Sequence, residues 1–147
     1  MPIPIVNSIA SWFLKKRFHQ IELFIKYPNE VQNELLLDLI DEARDTEIGR
    51  QYDFNSIESY EEFANRVPIL AYEEYESLIE RSRRGENNIF WPKPIKWFAK
   101  SSGTTNSKSK FIPVSSDSLE DCHYAAGKDL LCLYLNNNEN SQLFTGK

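Results

Sequence analysis

The hydrophobic period of this chain changes at Asn87, and that change limits the fold more than any other feature. Before it, apolar residues recur every three or four positions, the spacing of one helix face. After it, they stand in short aromatic and aliphatic runs of the kind that form strands. Residues 1–85 are therefore expected to be helical, 86–115 to form strand, loop and strand, 117–136 to form a long helix, and 142–147 to begin a further strand. The class is α/β, with a helical first half and the start of a sheet.

The helix boundaries follow from caps. Asn7 or Ser8 is placed to start a first helix carrying Ile9, Trp12, Phe13, Ile21, Phe24 and Ile25 on one face, and Pro28 ends it. Asn29 and Gln32 have the spacing of a capping box for a second helix, with Val31, Leu35, Leu36, Leu39, Ile40 and Ala43 inward and a stop near Gly49. A helical hairpin is expected. Ser59 and Glu62 repeat the capping-box spacing, and that helix closes before Pro68, because a residue preceding proline avoids the helical region. Tyr72, Tyr75, Leu78 and Ile79 face inward on the next, which should stop at Gly85 after Arg81, Arg83 and Arg84.

In the second half, Ile95 to Ala99 and Phe111 to Val114 are the strand-like runs. Pro113 cannot donate to a ladder, so it belongs at an edge or on the unpaired side. Asp117 with Glu120 is placed to cap the long helix, with Leu119, Cys122, His123, Ala126, Leu130, Leu133 and Tyr134 inward and Asn136 to Asn138 at its end. Because the chain stops inside an apparent strand, part of the sheet's apolar face is expected to lack a cover.

Composition narrows the function classes. The 147 residues, 41% hydrophobic and 27% charged, can bury a core. A net charge of −5 and a pI near 5.1 argue against nucleic acid as partner. The basic clusters at Lys15, Lys16, Arg17 and at Arg81, Arg83, Arg84 lie beside apolar helical patterns and read as solvated faces or charged last turns. Cys122 and Cys132 fit neither a disulfide framework nor zinc spacing, which points to a reduced setting. Adjacent Cys122 and His123 point about 100° apart on a helix, so a packed thiol beside a partly exposed imidazole is expected, not a nucleophile pair. The start lacks the order of a secretory signal, and no apolar run approaches the ~20 residues of a membrane span. A cytoplasmic protein away from membranes is expected.

Chemistry concentrates in the loop between the two strand-like runs: Ser101, Ser102, Gly103, Thr104, Thr105, Asn106, Ser107, Lys108, Ser109 and Lys110. A glycine lets backbone N–H groups approach an anion, hydroxyls donate short hydrogen bonds and a lysine supplies a point charge, which is what a polyphosphate needs. The loop is not a Walker A loop, since no Gly-Lys-Ser/Thr triplet follows Gly103 and a strand comes next. It is not a nucleophile elbow, lacking the Gly-x-Ser-x-Gly frame. On composition alone it reads more readily as a solvated hairpin loop.

The order of residues adds more. Ser101-Ser102-Gly103-Thr104-Thr105, with Lys110 closing, resembles the first core motif of the acyl-adenylate-forming superfamily. Lys110-Phe111-Ile112-Pro113 is similar to its auxin-responsive Gretchen Hagen branch of acyl-acid amido synthetases. Arg66-Val67-Pro68-Ile69, Trp91-Pro92, Trp97-Phe98-Ala99-Lys100 and Leu143-Phe144-Thr145-Gly146-Lys147 look like bacterial members of that family, so the likeness covers essentially the whole chain. Ser109 stands where proline is common, and Asn106 also departs from the motif.

The resemblance implies an amino-terminal part of a large adenylation domain. The protein would activate a carboxylic acid with Mg²⁺ and ATP as an acyl-adenylate, release pyrophosphate and pass the acyl group to an amino acid. Carried over by position, Ser101, Ser102, Gly103, Thr104 and Thr105 hold the phosphates, and Lys110 is the closing lysine. No metal ligand and no further catalytic residue is identified. Two other readings stay open: a relative that makes coenzyme A thioesters, and a non-catalytic helical module that binds a partner through aromatic faces.

Overall fold

The computed structural model describes residues 4–102, 109–138 and 141. It is mostly helical with one small sheet, in the order α1 (Pro4–Lys26), α2 (Pro28–Ala43), α3 (Glu47–Gln51), a 3-10 turn (Phe54–Ser56), α4 (Tyr60–Arg66), α5 (Tyr72–Arg83), β1 (Trp97–Lys100), β2 (Phe111–Val114), a π-helical segment (Ser118–Tyr124) and α6 (Ala125–Asn137). Two compact units result: Met1–Val31 with Glu120–Lys147, and Gln32–Leu119. Among the described residues, no helix is long and apolar enough to cross a membrane.

In the first unit, α1 begins at Pro4 and not at an Asn7 or Ser8 cap, since proline needs no hydrogen bond in the first turn. α1 ends at Lys26, ahead of Pro28, but helical hydrogen bonding is not interrupted there. The Tyr27 N–H donates to the Leu23 carbonyl at 2.8 Å and the Val31 N–H to the Tyr27 carbonyl at 3.1 Å, so helical bonding runs through the junction. Pro28 removes one donor and serves as the first residue of α2, ahead of Asn29.

α1 and α6 meet in this unit. Arg17 grips Asp129 with two bonds of 2.6 and 3.1 Å, and Ile21, Cys132 and Leu135 are buried. The inward face of α6 differs from expectation. Leu130 and Tyr134 are exposed, as are Cys122 and His123, while Asp129, Cys132, Leu133 and Leu135 turn inward. The face that packs on α1 is set by the Arg17–Asp129 pair and the burial of Cys132 and Leu135, about one residue earlier in the helical count than the apolar pattern of α6 indicates.

In the second unit the core is Ile40, Ala43, Phe54 and Ile57, with Leu36, Ile48, Tyr52, Phe63, Val67 and Trp91 packed against it. Of the α2 stripe expected inside, Leu35 and Leu39 remain exposed. α2 stops at Ala43, six residues before the expected Gly49, which lies inside α3. Glu47 and Ile48, opening α3, donate their N–H groups to the carbonyls of Asn88 and Ile89 at 2.9 and 3.1 Å, which brings Ile89 into the interior.

Local capping explains the next two helices. Ser59 accepts the Glu62 N–H at 3.2 Å, while the Glu62 carboxylate takes the Glu58 N–H at 2.7 Å, one residue earlier than a reciprocal box requires. Glu74 accepts the Ala71 N–H at 2.7 Å at the start of α5. At its end, Gly85 adopts φ +92°. Its N–H reaches the Ser82 carbonyl and the Glu86 N–H reaches that of Arg81, a Schellman closure.

β1 and β2 are antiparallel, pairing Trp97 with Val114, Phe98 with Pro113, Ala99 with Ile112 and Lys100 with Phe111. Pairs alternate along such a ladder between exchanging hydrogen bonds and not. The bond from Ser101 N–H to the Lys110 carbonyl sets the phase, so Phe111 and Pro113 point their backbone groups away from β1. Pro113 thus lies where no donor is needed.

After β2, Ser115 and not Asp117 caps the next helix, its hydroxyl accepting the Ser118 N–H at 3.0 Å. Asp117 accepts from Lys93 Nζ at 2.8 Å and Trp91 Nε1 at 2.6 Å, and these bonds, that from Lys93 first, hold its carboxyl below the usual range.

Candidate functional site: a strand-loop-strand closed by Ser101 and Lys110

The β ladder brings the two ends of the Ser/Thr/Gly/Lys loop face to face. Ser101 donates its N–H to the Lys110 carbonyl at 2.9 Å, and the Lys110 N–H donates to Ser101 Oγ at 3.0 Å. Ser101 is half-buried and Ser102 exposed. Gly103, Thr104 and Thr105 lie outside the described residues, as do Asn106, Ser107 and Lys108. The described part of the loop is thus a closed pair, Ser101 with Lys110, followed by the exposed Ser102.

The first turn of α5 holds the other side. Lys110 Nζ lies 2.9 Å from Glu73 Oε1 and 4.9 Å from the centre of the Tyr72 ring. The hydrogen bond from Lys110 is the main reason the Glu73 carboxyl lies below its ordinary value. The Tyr72 hydroxyl accepts the Phe111 N–H at 2.9 Å and faces the Phe111 carbonyl at 3.4 Å, meeting the backbone groups that β1 does not use. Arg83 stacks over the Phe111 ring at 3.8 Å. Arg83 thus packs on β2, and Arg81 is tied to Glu47 and Glu86, so these two arginines of the basic cluster serve the fold.

Tyr72 and Glu73 had no signal in the sequence. Tyr72 reads there as one more apolar position of α5, and the 39 residues between it and Phe111 hide the contact. Beside them lies a cavity of about 380 Å³ lined by Ile48, Tyr72, Tyr75, Ile79, Phe90 and Pro113. The Tyr75 and Phe90 rings meet edge to face at 6.2 Å, and burial pushes the Tyr75 hydroxyl pKa up. Cys122 and His123 are exposed, and the imidazole lies against Tyr124, with centroids 5.4 Å apart. Among the described residues, no cluster of three His, Cys, Asp or Glu side chains is placed to hold a metal ion.

The sequence profile of the GH3 family N-terminal domain matches residues 17–147. The chain belongs to the GH3 family. Among curated GH3 relatives, the indole-3-acetic acid-amido synthetase GH3.5 of Arabidopsis thaliana is 31% identical over 107 residues, 72% of this chain and 18% of that protein. The jasmonoyl-L-amino acid synthetase JAR4 of Nicotiana attenuata is 31% identical over 117 residues, 79% of this chain and 20% of that protein. A solved GH3.15 acyl acid amido synthetase superposes with a TM-score of 0.73 at 23% identity, over 84% of this chain and 22% of the other, and supports the fold. The chain therefore spans about a fifth of the length of its GH3 relatives.

Proposed function

We propose that this chain supplies the triphosphate-binding loop of an ATP-dependent acyl-acid amido synthetase. Ser101, Ser102, Gly103, Thr104, Thr105 and Lys110 would contact the phosphates. The observation that carries this reading is the closed pair of Ser101 and Lys110 at the loop's ends, in a chain of the GH3 family. In the reaction a carboxylate oxygen of the acid substrate attacks the α-phosphorus of ATP and pyrophosphate leaves. The amine of an amino acid then attacks the acyl carbonyl and AMP leaves.

The loop's part is electrostatic. Negative charge grows on the departing pyrophosphate, and donors already fixed in place stabilise it without rearranging. Lys110 fits this task because its ammonium remains partly exposed, with 43% of the side chain accessible. Mg²⁺ takes oxygen ligands and keeps several waters, so it would be held chiefly by the phosphates.

The test is acid-dependent exchange of labelled pyrophosphate into ATP by the complete gene product. The acid panel includes those named for its relatives: indole-3-acetic acid, jasmonic acid and 2,4-DB. Exchange with a carboxylic acid, followed by conjugation to an amino acid, is expected. Exchange followed by thioester formation with coenzyme A would move the protein to another branch, and absence of nucleotide binding would end the reading.

A further inference from the structure

We propose that Glu73 is a displaceable counter-ion, a positioning residue that keeps the Lys110 ammonium at the mouth of the loop until triphosphate takes its place. The inference rests on the reading of Lys110 as a phosphate ligand. Three contacts decide where this lysine can reach. Its backbone is locked to Ser101 on the β1 side. The next residue, Phe111, is anchored on the opposite side by the Tyr72 hydroxyl. The ammonium then lies between the Glu73 carboxylate and the Tyr72 ring.

The pair is built to open. The Glu73 side chain is 66% exposed, and an exposed ion pair contributes little, because water and salt screen it. A triphosphate carries several charges and offers Lys110 stronger, charge-assisted bonds. Glu73 also keeps stabilising surroundings after release. It lies in the first turn of α5, where the helix dipole favours a carboxylate, and its own backbone N–H contributes a hydrogen bond. Its neighbour Glu74 is already committed to the Ala71 N–H, so Glu73 is the acid in that turn with a cation to yield. Until then, it restrains a side chain that would otherwise sample many rotamers.

The experiment measures ATP and inorganic tripolyphosphate affinity of the complete gene product by calorimetry. The variants are Glu73→Gln, Glu73→Asp, Lys110→Ala and the double variant Glu73→Gln/Lys110→Ala, each checked for unchanged melting temperature. Glu73→Gln should tighten both ligands by about two- to five-fold, the range set by an exposed pair. Glu73→Asp should stay close to wild type. In the Lys110→Ala background the gain from Glu73→Gln should shrink, leaving only the general benefit of removing one negative charge.

Equal gains in the two backgrounds, or weaker binding by Glu73→Gln, would overturn the proposal. If Lys110→Ala weakens binding while Glu73→Gln changes nothing, the loop assignment stands and this inference alone falls. If wild type binds neither ligand, or Lys110→Ala binds as wild type does, both fall together.

Discussion

Thr46 Oγ1 accepts the Gly49 N–H at 2.9 Å from a position with no solvent exposure, and donates to the Ala43 carbonyl at 2.7 Å. One hydroxyl therefore caps the start of α3 and the end of α2. A Cβ on Gly49 would lie 2.1 Å from the Ala43 carbonyl oxygen, so the close approach is open to glycine alone. Thr46→Val, which keeps the volume and loses the hydroxyl, should cost about 1–3 kcal/mol, and Thr46→Ser much less. Gly49→Ala should cost at least as much as Thr46→Val, through backbone displacement. Urea midpoints at unchanged m would check the order.

Acid should weaken the second unit through Arg81. Its guanidinium binds Glu47 from α3 and Glu86 beyond α5, which lowers the pKa of each carboxyl and raises that of Arg81. A carboxyl depressed in the folded state stabilises the fold above its unfolded value, near pH 4.3, and that contribution disappears as pH falls through the lower folded value. Melting temperature should thus decline below about pH 4.5 in wild type and decline less steeply in Arg81→Met. Identical slopes would show that the three groups titrate independently.

Core and surface positions of α2 should separate by at least about four-fold. Ile40, 4% exposed in the main cluster, should cost about 2–5 kcal/mol on replacement by Ala, through lost transfer energy and the cavity left behind. Asp38→Ala, on the exposed face of the same helix, should stay within about 0.5 kcal/mol. Comparable losses by thermal denaturation would contradict the packing described above.

Tyr72→Phe tests the anchor on β2. It keeps the ring under Lys110 and removes the acceptor of the Phe111 N–H. The expected loss is about 1 kcal/mol, the usual net value of one hydrogen bond, with faster amide exchange at Phe111 than at Ile112. Unchanged exchange at Phe111 would mean that the hydroxyl does not hold the strand.

Loop variants in the complete gene product test the chemistry. Loss of one hydroxyl donor, by Ser102→Ala or Thr104→Ala, should slow acyl-adenylate formation by about 10²–10³. Lys110→Ala should weaken ATP use in a way that depends on salt, because a point charge is screened. Lys108→Ala should be nearly silent. Equal damage at Lys108 and Lys110 would remove the assignment of Lys110.

Much of this fold was legible because its signals are local. The Ser59 cap, the Gly85 closure and the inward face of α5 depend on partners within a few positions, where residue type and spacing carry the information. The strand pair was legible from its aromatic and aliphatic runs, and Pro113 from its missing N–H. The inner face of α6 was not, because Asp129 is drawn inward by Arg17, 112 positions away, while Leu130 and Tyr134 stay exposed.

The sequence by itself determined the helical first half and the two strands that flank the loop, since propensity and periodicity are properties of neighbouring residues. Only the tertiary structure decided what stands opposite them. Asp117 serves Trp91 across 26 positions, and Tyr72 and Glu73 reach Phe111 and Lys110 across 39 and 37. Such contacts form only when packing of separate elements brings distant backbone together, and no local pattern encodes the separation that packing removes.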